Sequence, residues 1–340
     1  MPTAQRNRIL FICGSMNQTT MMVKIAAFLE HHDCWFTPHY TDGWVEVLER
    51  SRLIEWTVAG IGHQNRALAY LESQNKNIDY RGMQHHYDLV VTCSDLIVPR
   101  NIRHGRVVLV QEGMTDPENM AYYLVKYLGL PRYLASTSTF GLSDAYVRMC
   151  VASEGYRDLF VRKGARREKI SVTGIPNFDN CAEFHSTPFE HRNYVLVATS
   201  DARETFKMEN RKWTIERARR IAADRQLIFK LHPNENIERA VLEIQRWAPE
   251  ALVYHGRPIE PMIAHCNTLV TKYSSCAYVG IALGKTVYSD FPMETLRELC
   301  PIQNGGRSAA NIAEVCEEVL RALASPIRVS VPPSSVRKAS

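Results

Sequence analysis

Chemistry in this chain is concentrated where short apolar runs give way to hydroxyl, cationic or acidic residues. Residues 269–272 form a strand candidate that leads into Tyr273-Ser274-Ser275-Cys276. A two-turn helix candidate follows over 277–283, stopped by Gly284, and another strand candidate over 286–288. A strand that passes into a helix through small hydroxyl residues leaves unbonded backbone N–H groups at the helix start. With the helix dipole behind them, such groups suit a diphosphate. Ser274, Ser275 and the Cys276 amide are therefore candidate donor-phosphate ligands, with ordinary helix capping as the alternative. Upstream, the buried-strand pattern 227–231 ends in Lys230-Leu231-His232-Pro233. Pro233 halts the strand, so the His232 imidazole should emerge at the carboxyl edge, while alternation leaves open that Lys230 points away from it. Both are candidate diphosphate contacts, and His232 is equally readable as a packed or surface residue.

Ser200 and Arg203 follow another strand candidate, 194–198. An arginine fork binds two phosphate oxygens at once, although a surface arginine and a capping serine explain the same residues. For acid–base work the candidates are Glu112, Asp95 and His63. Glu112 follows the apolar run 106–111 and precedes Gly113, a position that projects a carboxylate into a cleft. Asp95 serves equally as a turn cap, and His63 sits in the glycine-flanked G-I-G-H-Q-N-R. Gly14 and Ser15 end the first strand candidate and would let a substrate approach the backbone closely. The basic run 162–169 reads first as a solvated face and second as an anionic-acceptor or membrane contact. D-x-D, H-E-x-x-H, C-x-x-C and P-loop patterns are all missing from the sequence, which disfavours metal-dependent sugar transfer, zinc hydrolysis and P-loop NTPase chemistry.

The elements that must carry these residues alternate as strand and helix. Continuous apolar strands are expected over 8–14, 88–92, 106–111 and 169–173, with helices over 21–30 and 152–163. A polar and aromatic stretch, 177–192, breaks the pattern. It restarts with strands over 194–198, 227–231 and 251–254, helices over 213–224 and 237–246, and a last helix over 309–324. Strands apolar throughout and separated by helices indicate parallel sheets covered on both faces. At 340 residues the chain is long enough for two such units, over 1–180 and 190–325, with a flexible tail over 326–340.

A hydrophobic fraction of 45% with 23% charged residues is that of a globular protein with sizeable cores. The net charge of +5 is compatible with phosphorylated substrates or peripheral membrane contact but far too mild for nucleic acid. Nine scattered cysteines, an odd number, fit reduced thiols and a cytoplasmic location better than a disulfide framework.

Several segments together resemble the two-Rossmann-domain nucleotide-sugar enzymes called GT-B. The echoes are of the non-hydrolysing UDP-N-acetylglucosamine 2-epimerases and the CDP-glycerol glycerophosphotransferases. Residues 151–179, ending in V-T-G-I-P-N-F-D, resemble the close of a GT-B N-terminal domain. V-T-K-Y-S-S followed by A-L-G-K-T-V resembles the glycerophosphotransferase T-D-Y-S-S segment and the epimerase T-D-S-G-G segment. K-x-H-P at 230–233 also recurs in the glycerophosphotransferases. D-L-V-V-T-C-S-D and V-L-V-Q-E-G resemble epimerase strands that end in a catalytic-site Asp and Glu, here Asp95 and Glu112. The departures matter as much. The epimerase first-loop arginine is replaced within Gly14–Gln18, the H-R-R-E-N histidine has no counterpart beside Arg203, and Lys272 stands for the aspartate of T-D-Y-S-S. The position of the ribose carboxylate falls near Tyr278 or Val279. The resemblance thus implies a GT-B fold, with a Rossmann-like acceptor domain over 1–180 and a Rossmann-like nucleotide-donor domain over 190–325. It also implies a metal-independent glycosyltransferase or polyol-phosphate transferase that needs no cofactor beyond a nucleotide-activated sugar as co-substrate. Its acceptor would be a glycan, a lipid-linked molecule or a small molecule, and a homodimer is compatible with it. A UDP-sugar 2-epimerase and a non-catalytic nucleotide-sugar-binding protein are the alternatives.

Overall fold

A computed structural model describes residues 6–42, 60–103, 105–200, 203 and 209–324. The tail expected to be flexible lies outside the described residues. The chain builds two wholly parallel sheets. The first takes β1 (Arg8–Ile12), β2 (Asp33–Thr37), β3 (Leu89–Thr92), β4 (Val107–Val110), β5 (Arg148–Val151) and β6 (Ile170–Val172), in the spatial order β2-β1-β3-β4-β5-β6. The second takes β7 (Val195–Ala198), β8 (Leu227–Lys230), β9 (Leu252–Tyr254), β10 (Thr268–Val270) and β11 (Thr286–Tyr288), in the order β11-β10-β7-β8-β9. Strands β1, β3, β4, β7 and β8 read as continuous apolar runs because both of their faces are covered. Ile9, Leu10, Phe11, Val91, Val108 and Leu109 are fully buried, each contributing about 1.5–3 kcal/mol of transfer free energy.

Each sheet has a point where the strand order reverses, and an α/β sheet opens a crevice there at its carboxyl edge. In the first sheet the reversal lies between β1 and β3. In the second it lies between β7 and β10.

The first crossover helix, α1 (Met16–Ala26), starts five residues before the expected 21–30 span. Ser15 caps it, its Oγ accepting from the Gln18 N–H at 3.2 Å, and the Thr19 hydroxyl bonds back to the Ser15 carbonyl at 2.8 Å. The polar run Asn17–Thr20 reads as a loop, yet Gln18 and Thr19 are buried, because Gln18 is taken up by Glu112 and the Thr19 hydroxyl by its own helix turn. Helix α2 (Ile61–Ser73) packs on α1, α3 (Met120–Leu128) lies between β4 and β5 in the chain, and α4 (Glu154–Lys163) between β5 and β6.

In the second series α5 (Arg211–Ala222) and α6 (Ile237–Trp247) link β7, β8 and β9. The short α7 (Glu260–His265), α8 (Cys276–Ala282) and α9 (Met293–Leu299) complete it. Residues 177–192, which show no sequence period, hold a 3-10 stretch at Cys181–Ser186 and bury Cys181 and Phe189.

The last helix, α10 (Ser308–Ala324), departs from the expected order. Placed by its sequence position at the close of the second series, it crosses back and packs on α1, β3 and β5 of the first sheet. Ile312, Cys316 and Leu320 are buried in that lobe's core. The helix start is fixed by the Asp179 carboxylate, which accepts from the Ser308 N–H at 2.8 Å. An amphipathic face carries no mark of which sheet it covers, so sequence order alone misassigned it.

Candidate functional site

Glu112 leaves the carboxyl end of β4 and turns toward the N-terminus of α1. Its Oε1 accepts from Ser15 Oγ at 2.8 Å and Asn17 Nδ2 at 3.2 Å, and its Oε2 accepts from Gln18 Nε2 at 2.5 Å. A carboxylate at a helix N-terminus is favoured by the helix dipole as well as by these donors. Gln111 fixes the loop from behind, donating to the Gly113 carbonyl at 2.8 Å and accepting from the Ala152 N–H at 2.9 Å. Asn177 braces the far side: its Nδ2 meets Asn17 Oδ1 at 2.6 Å and Thr20 Oγ1 at 3.0 Å, and its Oδ1 accepts from Lys24 Nζ at 2.8 Å. Ser15, expected with Gly14 to let a substrate approach the backbone closely, is a direct partner of Glu112. Gly14 is buried at the strand end beside it.

The other two acid–base candidates sit elsewhere. Asp95 is buried, and its carboxylate accepts from Arg132 Nη1 at 2.9 Å and from the Gly141 and Ser143 N–H groups at 3.1 Å each. That geometry makes it an anchor for the 141–143 loop, in keeping with the turn-capping alternative. His63 lies in the first turn of α2, its Nδ1 3.2 Å from Arg66 Nη2.

On the second sheet, Ser274 Oγ accepts from the Cys276 N–H at 3.3 Å, an ordinary local turn. Ser275, expected to cap the helix, makes no capping bond. Its hydroxyl instead crosses to the other lobe and accepts from the Met114 N–H at 3.1 Å. A Cβ at Gly113 would stand 2.7 Å from that oxygen, so only glycine fits there without displacement. Nearby, the Tyr278 hydroxyl at the expected ribose position meets the Tyr156 hydroxyl at 2.7 Å, wholly buried. The loop bearing Glu112 and the start of α8 therefore touch.

Lys230 is buried at the end of β8, with Nζ donating to the Leu231 carbonyl at 2.8 Å. Burial pulls its pKa below the ordinary lysine value, with the charges of Cys276, Glu260 and Glu235 opposing the shift. The His232 backbone N–H donates to Thr199 Oγ1 at 2.9 Å and Glu235 Oε2 at 3.0 Å, and its Nδ1 accepts from the Asn234 N–H at 3.2 Å. Arg203 grips Glu243 with two bonds, at 2.7 and 2.8 Å, and its Nε lies 3.9 Å from Glu209. Its fork is thus held by a carboxylate in this structure, as the alternative of an ordinary surface arginine allows.

Ser200 lines a small cavity at the β7/β10 reversal together with Thr199, Glu209, Thr271 and Lys272. The Ser200 and Thr271 hydroxyls are buried there without hydrogen-bond partners. Beneath the cavity, Arg211 pairs with Glu235 and lies 3.5 Å from Glu209, while Lys272 Nζ lies 3.8 Å from Glu209. Buried polar atoms are nearly always satisfied, so two orphaned hydroxyls at a sheet's reversal point mark a place built to receive polar groups. Sequence reasoning missed Asn17, Gln18 and Asn177, which look like loop residues, and Thr271, Glu209 and Arg211, which carry no motif. Only the P-N at 176–177 within the GT-B-like V-T-G-I-P-N-F-D could have drawn attention to Asn177.

With two parallel α/β sheets whose reversal points carry polar loops, the chain has the GT-B fold. No protein-family model matches the sequence, and no curated relative does either. Among solved structures, the wall teichoic acid polymerase TagF is similar over 95% of this chain and 91% of its own, with a TM-score of 0.55 and 10% identity. The UDP-GlcNAc 2-epimerase from Neisseria meningitidis bound to UDP-GlcNAc is similar over 92% of this chain and 100% of its own, with a TM-score of 0.57 and 12% identity. A putative UDP-N-acetylglucosamine 2-epimerase from Listeria monocytogenes matches 93% of this chain and 88% of its own, with a TM-score of 0.53 and 11% identity. At such identities the likeness speaks for the fold. Among the described residues, no helix is long and apolar enough to cross a membrane.

Proposed function

We propose that this protein is a cytoplasmic, metal-independent transferase that moves a sugar or polyol-phosphate unit from a nucleotide-activated donor to a hydroxyl acceptor. The observation that carries the reading is the Ser275–Met114 contact. It joins a candidate phosphate-binding helix start on one sheet to the loop of a candidate base on the other. The nucleotide would lie on the second lobe, against Ser200, Lys230, His232, Ser274 and Ser275, and the Cys276 amide would have to exchange its Ser274 bond to join them. The acceptor would lie on the first, near Glu112. In the transfer, the acceptor oxygen attacks the donor carbon or phosphorus and its proton passes to Glu112. The bond to the nucleotide breaks with its electron pair leaving on the phosphate. The Cys276, Ala277 and Tyr278 N–H groups are bonded within their own turn, so the Ser274 and Ser275 hydroxyls and nearby cations would offset that charge, alone if no divalent ion assists, as the missing D-x-D suggests.

A second reading has its own support. Both Glu112 oxygens are already engaged by Ser15, Asn17 and Gln18, as in a structural carboxylate. A nucleotide-sugar-binding protein without turnover is consistent with that saturation.

A thermal-shift panel of UDP-, CDP-, GDP- and ADP-linked compounds tests both readings, because a ligand of the native state raises the melting temperature by mass action. One nucleotide class should stand out, and a flat panel overturns both. Product analysis with the preferred donor then separates transfer from epimerisation and from binding alone. Ser275→Asp keeps an acceptor for the Met114 N–H but sets a negative charge at the proposed diphosphate position. Affinity should fall by roughly tenfold or more. An unchanged dissociation constant in the folded variant removes this helix start from the donor site.

A further inference from the structure

The first lobe carries an apolar surface that the cleft does not use. Helix α3 is capped by the Asn119 side chain and closed by Gly129 in the left-handed conformation, so its nine residues form a well-delimited element. It is tied to the protein by a thin cluster of Tyr122, Val125 and Ala135. Its remaining faces present Met120, Tyr123, Leu124, Tyr127 and Leu128 to solvent, with Met120, Tyr127 and Leu128 exposed by 76%, 75% and 67%. Lys126 is the one charged residue in the helix. Leu130 and Leu134 extend the surface beyond it. Other exposed large apolar side chains are spread over the rest of the described chain, whereas these fall within residues 120–134. A solvated helix turns polar residues outward, and an apolar cluster of this kind marks an interaction face.

Between Leu130 and Leu134, the residues Pro131, Arg132 and Tyr133 line an open hollow of about 690 Å³. Arg100 and Arg103 line it too, opposed by Asp42 and Asp144. Arg100 is 80% exposed and stands 4.0 Å from Asp42. Asp144 is shared with two more cations, Arg166 and Lys169, at 3.5 Å each. Among the residues lining the hollow, three arginines therefore outnumber two carboxylates.

We propose that this face docks on an anionic lipid surface. Helix α3 lies at the boundary of headgroups and acyl chains, and lipid phosphates occupy the arginine-lined hollow. The chemistry fits an amphiphile because apolar and cationic parts adjoin through one segment of chain. Tyr123 and Tyr127, which stack on each other, are side chains with an apolar body and a polar tip suited to that boundary. A second copy of the chain is the less favoured occupant. A two-fold axis would set the apolar row against itself and leave the cationic hollow without an acidic complement. The inference stands apart from the assignment of the cleft.

Co-sedimentation of the full chain with vesicles tests it, comparing phosphatidylcholine alone with phosphatidylcholine mixed with phosphatidylglycerol. Binding should require the anionic lipid and weaken as salt rises. Tyr127→Asp with Leu128→Asp should weaken it by roughly tenfold or more, and Arg100→Glu with Arg103→Glu should abolish the preference for anionic vesicles. All four positions are exposed, so unchanged melting curves are expected to confirm folding. Failure to pellet with anionic vesicles, or pelleting that none of these variants alters, overturns the proposal. So does a dimer in sedimentation velocity without lipid that Tyr127→Asp with Leu128→Asp dissolves, which would assign the face to a second copy.

Discussion

Ser275 and Gly113 face each other across the two lobes so closely that a methyl group on Gly113 would stand 2.7 Å from the Ser275 hydroxyl oxygen. That oxygen holds the next amide of the same loop, Met114 N–H, at 3.1 Å. The loop that presents Glu112 is thus seated against the start of α8, and any shift of one is felt by the other.

Gly113→Ala should push the Ser275 hydroxyl off the Met114 amide, costing about 1–3 kcal/mol from overpacking and a lost hydrogen bond. Ser275→Ala alone should cost about 1 kcal/mol. Combined, the two should cost clearly less than their sum, because removing the hydroxyl makes room for the methyl. Urea denaturation of the three variants measures this coupling. Strict additivity would mean that the loop and α8 do not meet in solution.

Glu112→Gln keeps the shape of the side chain and an acceptor for Ser15 and Asn17, but it cannot take a proton at neutral pH. If Glu112 is the base, turnover should fall by roughly two to four orders of magnitude with nucleotide affinity nearly unchanged. Calorimetric titration of the nucleotide beside single-turnover kinetics checks both halves. Affinity lost together with activity would make Glu112 a donor contact or a structural residue.

Gly155, in the first turn of α4, lies against the last turn of α9. A Cβ there would come within 2.1 Å of the Glu298 carbonyl oxygen, a backbone atom that cannot rotate aside. Ser153, just before it, ties the same turn by donating to the Leu299 carbonyl at 3.2 Å. Gly155→Ala should destabilise the protein by about 1–3 kcal/mol or more, measured as a lowered urea midpoint. Wild-type stability would show that the two helices stand further apart.

Buried thiols give the protein an alkaline limit. Burial pushes Cys150 and Cys266 from 9.0 up to about 12, with smaller opposing effects from Thr173 and Lys285 respectively. In the unfolded chain these groups ionise near 9, while in the folded chain they keep their protons, so the unfolded state binds fewer protons above that pH. Stability is therefore fully present below about 9 and falls as pH rises from there toward 12. Urea midpoints under reducing conditions across that range measure the slope. Cys150→Ala should make it shallower, and an unchanged slope would mean that the thiol ionises equally in both states.

Much of the architecture was legible in sequence because parallel strands covered on both faces are apolar throughout, and glycines and hydroxyl residues punctuate them. The alternation around 227–231 and 269–288 identified the second sheet, and the restart at Tyr194 separated it from the first. Candidate chemistry at strand ends was readable for the same reason, since a parallel sheet gathers its loops at one edge. The partners of those residues were not readable. Ser275 looks like a helix cap and is a contact between lobes, Asp95 reads equally as a cleft acid or a turn cap and anchors a loop, and Arg203 pairs with Glu243. The sequence by itself determined which residues become strands and which face each helix buries, because those depend on periodicity within a few residues. Only the tertiary structure decided that α10 crosses to the first sheet and that Asn17, Gln18 and Ser15 converge on Glu112. Contacts between residues nearly a hundred positions apart depend on how whole elements pack, and local pattern carries no record of that.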